Sequence, residues 1–314
     1  ILSQSSFNVS FWNKNLEAFY KATESERQNQ FWSLLTQKQN ADFEFIFENK
    51  DFPWDWSFIT ENSSIETILD SFEDDELFEK WDWKIATRKI EKDTILELLE
   101  DISQYVDWKY LINDVFTIEN ELAIDNQLPK IAVCLTVVES EKRKEYWKDI
   151  TCKIPFETLF PIVQATIQLD VFEWDWDFIS NHKLFPTDIR TLNQFREKIN
   201  WTIFTESYAI KQKFNPDSWD SGKQWFSNID RYLQQFEDYW NWQVLSKNGS
   251  INYNRLLLQK YKTENWDWDY LTEFGGFLTK QKRDKENENY LEQLVKQFPE
   301  IKFDILSKRK DIKI

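Results

Sequence analysis

The chain has 314 residues and a net charge of −16 at pH 7, from 39 basic and 55 acidic side chains. Such acidity argues against nucleic-acid binding, which needs a basic surface to displace phosphate counterions. The single His, the two Cys and the lack of a Gly-rich phosphate loop argue against a Ser-His-Asp triad, a Cys-His pair with a second orienting His, a histidine-rich metal site and a P-loop. We therefore expect no enzyme, catalytic residue, metal or cofactor.

A short phrase recurs along the chain: Trp, Asp or Asn, Trp, two variable residues, Ile or Leu, and Ser or Thr. Its clearest copies begin at Trp54, Trp174 and Trp266. We call the second Trp of each copy the anchor and number the positions of a repeat from it. The anchors are Trp32, Trp56, Trp83, Trp108, Trp147, Trp176, Trp201, Trp242, Trp268 and the substituted copy Phe303. Five of the nine spacings are 24–27 residues, which indicates a repeat of roughly 25 residues with insertions.

Three columns of the alignment indicate the start of a helix. Position +3 is apolar in all ten copies, and position +4 carries a hydroxyl in all but one, which has Ile112. Position −1 is Asp or Asn in seven copies, a residue type that caps helix N-termini. We therefore predict that the anchor is the first helical residue, and that the Trp at −2 forms a hydrophobic staple with position +3.

A second helical signature follows each phrase. After Thr60 come a polar turn, residues 61–64, and apolar residues at helical spacing from Ile65 to Phe72. The segment from Asp93 repeats this pattern. Each repeat is thus predicted to be a short helix, a turn and a longer helix. The fold class predicted is all-α, an α-solenoid of about ten helix-turn-helix repeats.

The predicted organisation is an N-terminal helical segment or cap over residues 1–30 and a solenoid over 31–314. Insertions interrupt it near 115–145, 208–238 and 274–298. The last repeat stops before a second helix can form, so we expect a fragment of a longer protein. The longest apolar run, residues 131–138, is too short to span a bilayer, and no signal peptide is evident. We expect a cytoplasmic protein with no membrane partner.

The phrase and the polar turn after it, best seen from Trp56 to Ile65, resemble tryptophan-rich repeat arrays of large-virus proteins and some bacterial ones. The resemblance covers roughly residues 30–314. It implies an interaction scaffold in the broad company of ankyrin and tetratricopeptide arrays. It carries no catalytic residues over to this chain.

Candidate partner-binding residues fall in two places. Trp219 and Trp225 lie in the second insertion, out of register with the repeat, where exposed tryptophans would be interface anchors; packing back on the array is the alternative. The other candidates are polar residues at position +1, outside the apolar positions: Lys84, Lys109, Asp177, Gln243 and Asp269. His182 is expected to be a solvated turn residue.

The function predicted is a non-catalytic scaffold that binds a protein or peptide on the concave face of an acidic solenoid. One alternative is the sensor or scaffold arm of a larger intracellular enzyme, for example one in bacterial defence against phage, with other domains of its own chain as partners. A further alternative is an acidic mimic of nucleic acid. An enzyme with an all-carboxylate site is the remaining alternative.

Overall fold

The structure is a computed structural model that describes residues 15, 17, 18, 21, 25–38, 43–116, 121–215, 222–252, 254–278, 290–310 and 312. Regular secondary structure within these ranges is helical, and they contain no strand. The predicted all-α class is therefore confirmed for the described part of the chain.

The chain divides into two compact units, Ile1–Ile150 with Leu169–Phe172, and Thr151–Gln168 with Glu173–Ile314. The α-helices of the first unit are Ser25–Lys38, Phe43–Glu48, Trp56–Asn62, Ile65–Asp70, Asp75–Phe78, Trp83–Lys89, Lys92–Ile102, Trp108–Tyr110, Glu121–Cys134 and Ser140–Lys153, the last of which contains the division. Those of the second unit are Phe156–Thr166, Trp176–Asn181, Ile189–Phe195, Trp201–Glu206, Tyr208–Lys213, Gly222–Gln235, Trp242–Leu245, Gly249–Asn252, Arg255–Lys260, Trp268–Phe274, Tyr290–Gln297 and Phe303–Leu306. The 3₁₀ segments are Ser71–Glu73, Leu135–Val137 and Gly276–Leu278, and Leu111–Val115 is a π-helix.

The predicted helix starts are confirmed in most repeats. A helix begins at the anchor itself in eight copies, and we call these the anchor helices: those that start at Trp56, Trp83, Trp108, Trp176, Trp201, Trp242, Trp268 and Phe303. In seven of them the side chain at −1 accepts a hydrogen bond from a backbone N–H of the first turn, as an N-cap does. The capping residues are Asp55, Asp82, Asp107, Asp175, Asn200, Asn241 and Asp267.

Three anchors depart from the prediction. Trp32 and Trp147 lie inside the 14-residue helices Ser25–Lys38 and Ser140–Lys153, because no Asp or Asn precedes them to stop the helix there. Both rings are nonetheless buried. Phe303 begins a helix but is 60% exposed. The described residues that follow Phe303 contain no tryptophan that could pack against it.

Each anchor helix turns one face to the core. Positions 0, +3 and +4 lie within about 100° of one another on a helical wheel. All ten residues at +3 are buried: Leu35, Ile59, Ala86, Leu111, Ile150, Ile179, Phe204, Leu245, Leu271 and Leu306. The hydroxyl residues at +4 are buried with them in eight copies, and the exception is the exposed Ser307. A buried hydroxyl requires hydrogen-bond partners, and the structure supplies them.

The hydroxyl at +4 connects one repeat to the next. It donates to the carbonyl of its own anchor, as Thr60 Oγ1 does to Trp56 O at 2.7 Å. It also accepts from the backbone N–H of the next N-cap residue, as Thr60 Oγ1 does from Asp82 N at 3.0 Å. The donors and acceptors of this second bond are Asp55–Thr36, Asp82–Thr60, Asp107–Thr87, Asp175–Thr151, Asn200–Ser180, Asp267–Ser246 and Lys302–Thr272. We call this arrangement the hydroxyl relay.

The first Trp of the phrase also reaches the preceding repeat. Trp54 packs edge-on against the anchor Trp32, with ring centroids 5.0 Å apart. The same contact recurs between Trp81 and Trp56, Trp240 and Trp201, and Trp266 and Trp242, at 5.0–5.7 Å. We predicted a staple within one phrase; the ring contacts observed are with the anchor before it. The phrase therefore joins neighbouring repeats as well as starting a helix.

Cationic side chains reach the carbonyl end of the preceding anchor helix. Lys89 Nζ donates to the carbonyls of Thr60, Glu61 and Ser63 at 2.6–3.0 Å. Arg309 occupies the same position, +6, in its repeat and donates to the carbonyls of Thr272 and Gly275. Such groups satisfy carbonyls that lack partners within the helix and complement its dipole.

Contacts between repeats persist across the second and third insertions, for example the ring contact of Trp201 with Trp240 across the second. The insertions contain helices of their own, Glu121–Cys134, Gly222–Gln235 and Tyr290–Gln297. After the third insertion, Lys302 N still donates to Thr272 Oγ1 at 3.2 Å. In these two places the extra residues are accommodated between successive anchor helices.

Removal of one relay hydroxyl is expected to weaken the first unit. Thr60→Val keeps the shape of the side chain but leaves the Asp82 N–H without its acceptor, which costs about 1–3 kcal/mol. The measurement is the free energy of unfolding from urea titration. The matched control is Thr67→Val, at a site whose hydroxyl contacts Ser64 near the surface, expected within about 0.5 kcal/mol of the wild type. Equal losses in both variants would contradict the relay.

Candidate functional site

The outward side of the anchor helices carries an apolar row that the three columns above do not include. Position +2 is apolar in nine of ten copies, and none of these side chains is fully buried. The nine are Leu34, Phe58, Ile85, Tyr110, Phe178, Ile203, Val244, Tyr270 and Ile305. Leu34 is 53% exposed and the others are half-buried. The row is visible when the repeats are aligned by their anchors, so it could have been predicted from the sequence alone.

Mainly polar residues lie along one edge of the row. On a helical wheel the outward positions follow in the order +1, +5, +2, so +5 lies next to the apolar row and +1 lies beyond it. All ten residues at +5 are exposed, as are nine of ten at +1. We call positions +1, +2 and +5 together the anchor-helix face. The face thus combines an apolar row with a polar edge, two features that an interface also combines as its apolar core and polar rim.

The rows extend across neighbouring helices within each unit. In the first unit, the helix Trp56–Asn62 contacts both Ser25–Lys38 and Trp83–Lys89. In the second unit, Trp201–Glu206 contacts both Trp176–Asn181 and Trp242–Leu245. The helices Trp268–Phe274 and Phe303–Leu306 also contact each other. The apolar residues at +2 therefore recur on adjacent helices rather than at scattered points.

The five predicted +1 candidates all lie on this face and are exposed: Lys84, Lys109, Asp177, Gln243 and Asp269. Some +1 residues also bond to the next N-cap side chain. Ser57 Oγ donates to Asp82 Oδ2 at 2.7 Å, and Asn200 Nδ2 donates to Asp177 Oδ1 at 2.7 Å. Asp177 thus has a structural contact that its position in the sequence did not reveal.

The side chains of the two tryptophans of the second insertion lie outside what the structure describes. Trp219 lies outside the described residues. Trp225 falls in the helix Gly222–Gln235, but its side chain is likewise outside what the structure describes. The prediction that they bind a partner stays a prediction.

His182 borders the apolar row and is not the solvated turn residue that we expected. Its ring stacks on Phe156, with centroids 3.9 Å apart and planes 6° from parallel, and it also contacts Phe178 of the row. Its Nδ1 accepts from the Leu184 N–H at 3.2 Å. Burial lowers the pKa of His182 below its usual value, with Lys183 acting in the same direction and Glu157 opposing it.

No metal centre or membrane span competes with this face in the described ranges. They contain no group of three or more His, Cys, Asp or Glu side chains placed to hold a metal ion. Their helices are all too short or too polar to cross a bilayer. Comparison of the chain with family models, curated proteins and solved structures gives no match.

The neutral state of His182 is expected to make stability depend on pH. Because the pKa of His182 is lower in the folded than in the unfolded chain, the unfolded chain binds the proton first as the pH falls. Stability should therefore decrease below the unfolded pKa of about 6.5. We expect the unfolding free energy to fall more between pH 7.5 and 5.5 in the wild type than in His182→Phe, which keeps a flat ring on Phe156. Parallel pH profiles would contradict this.

Proposed function

We propose that each unit is a short α-solenoid and that the chain is a non-catalytic binding module for a protein or peptide. The binding surface proposed is the anchor-helix face. The observation that carries the proposal is the half-exposed apolar row at position +2, repeated on adjacent helices. We also propose kinship with the tryptophan-rich repeat arrays that the phrase resembles.

Single apolar residues on a protein surface are ordinary, but rows of them indicate an interaction site. The inward positions of the anchor helices are already occupied by the anchors, the +3 residues and the hydroxyls, and the +3 residues are buried in every copy. The core therefore does not explain why +2 is apolar in nine copies. Contact with an apolar surface of a partner does, and stacked repeats offer such a surface over many residues.

The charge of the chain bears on the partner. A net charge of −16 attracts basic proteins and repels acidic ones at long range. Complementary charge raises the association rate and selects among partners, while apolar contacts at the centre of an interface supply most of the affinity. We propose a partner segment with apolar residues that meet the row and basic residues near its edges.

Substitutions in the row should abolish capture of the partner without unfolding the chain. The test variant is Ile203→Gln/Val244→Gln/Tyr270→Gln, three half-buried members of the row in the second unit. Partners would be captured from lysate of the source cells on the immobilised chain and quantified by mass spectrometry. We expect capture to fall at least about tenfold, since each lost apolar contact costs roughly 1 kcal/mol or more.

The matched control changes three exposed leucines that are not members of the row, Leu169→Gln/Leu184→Gln/Leu256→Gln; the first belongs to the first unit and the other two to the second. It makes the same chemical change to side chains that are 46–59% exposed. Circular dichroism must show both variants to be helical. The proposed surface would be contradicted if the control variant alone lost the partner, or if both variants still captured it.

A further inference from the structure

A cavity in the first unit lies away from the anchor-helix face. It has a volume of about 550 Å³ and is formed between the end of the helix Lys92–Ile102 and the short helix Asp75–Phe78. Three aromatic rings, Phe72, Phe78 and Tyr105, line it. Its lining combines these rings with polar and acidic side chains.

The rings form one packed cluster. Phe78 meets both Phe72 and Tyr105 edge-to-face, each at 5.0 Å between centroids. The anchor Trp83 supports them from within, 4.7 Å from Phe78. Because these contacts fix the rings, the cavity wall is preformed, and each of the three lining residues remains only half-buried.

Carboxylates surround the rings. Asp75, Glu79 and Asp101 line the cavity and are exposed, and no Lys or Arg is among its lining residues. Asp75 and Glu79 line the cavity together with Tyr105. Burial raises the pKa of Tyr105, and the negative charges of Glu79 and Asp75 raise it further.

The neighbouring acids have a cationic partner of their own. Lys50 Nζ lies 3.0 Å from Asp74 and 2.7 Å from Glu76. Lys50 therefore offsets one of these two negative charges, and it is not among the residues that line the cavity, where three carboxylates lie.

We propose that this cavity binds the guanidinium group of an arginine in a basic peptide segment. A guanidinium is planar, stacks on aromatic faces and donates paired hydrogen bonds to carboxylates. The cavity offers both partners side by side, rings at its wall and carboxylates at its rim. An ammonium group matches it less well, since it is more strongly hydrated and lacks the planar fork. The inference goes beyond the proposed function because it concerns a different surface and a specific side chain.

The test is the binding of a defined peptide to the full chain. The probe is a fluorescein-labelled hexapeptide of Gly and Ser with one central Arg, compared with otherwise identical peptides that carry Lys or uncharged citrulline. Fluorescence anisotropy at fixed ionic strength measures Kd. We expect saturable binding of the Arg peptide, several-fold weaker binding of the Lys peptide, and at least about tenfold weaker binding of the citrulline peptide.

Two pairs of substitutions separate the cavity from the overall charge. Glu79→Gln/Asp101→Asn removes two exposed rim carboxylates and should weaken the Arg peptide about tenfold. Glu145→Gln/Asp170→Asn removes the same charge from exposed positions outside the cavity and should leave Kd within about twofold. Phe78→Leu keeps the charge and removes one ring, and it should also weaken binding.

Three results would overturn the proposal: no saturable binding of the Arg peptide, equal binding of the citrulline or Lys peptide, or equal weakening by the two charge pairs. If Phe78→Leu does not fold, the charge pairs still decide, since all four of their positions are exposed. The outcome is independent of the anchor-helix face, because no lining residue belongs to that face.

Discussion

The architecture depends on a buried hydroxyl that belongs to two repeats at once. A helix leaves its first backbone N–H groups without partners, and the capping Asp or Asn satisfies only those inside the first turn. The N–H of the capping residue itself then needs an acceptor. The hydroxyl at +4 of the preceding repeat provides it, as Thr60 does for Asp82, while donating to its own anchor carbonyl. The starts of seven of the eight anchor helices are therefore completed by the repeat before them, and four anchor rings pack against the first Trp of the repeat after them. Repeats joined in this way stabilise one another more than they stabilise themselves.

Part of the fold could be predicted from the sequence, because the start of a helix depends on residues that are close together in the chain. The seven caps, the buried +3 column and the helix start at the anchor follow from residue types at fixed spacing, and the structure confirms them. The sequence does not say which chain segment a buried group will meet, since such contacts join residues about 20–30 positions apart. The hydroxyl column was therefore visible in the sequence without its partner, and the sequence did not reveal that Trp54 packs against Trp32. Trp32 itself shows the limit of alignment by anchor, because a tryptophan without a capping residue before it continues a helix instead of starting one.

The one copy that breaks the hydroxyl column shows what the relay does. Ile112 replaces the hydroxyl, and the helix there widens into the π-helix Leu111–Val115. The next anchor, Trp147, comes after an inserted helix and inside a long one, with no capping residue before it. Ile112 is buried like the hydroxyls it replaces, but it has no oxygen to accept from a following N-cap. Loss of the hydroxyl, loss of the cap and a change of helix type thus occur together.

The inward positions of the anchor helices are explained by the relay and the core. The outward positions therefore need a different explanation. The +2 row and the cavity beside Phe78 both consist of aromatic and apolar groups bordered by charge, and neither is needed to complete a helix. The same distinction explains why Asp177, selected from sequence as a contact residue, also accepts a bond from Asn200. The proposed binding surface and the contacts between repeats thus use neighbouring residues of the same short helices.

Amide hydrogen exchange resolved to single residues tests the relay most directly. The N–H groups of Asp55, Asp82, Asp107, Asp175, Asn200 and Asp267 precede their helices and have no helical acceptor, so the relay alone predicts their protection. We expect them to exchange as slowly as the buried +3 amides of the same helices, and we expect Thr60→Val to release Asp82 selectively. Exchange of these capping amides at the rate of an unstructured chain, with the +3 amides still protected, would contradict the account.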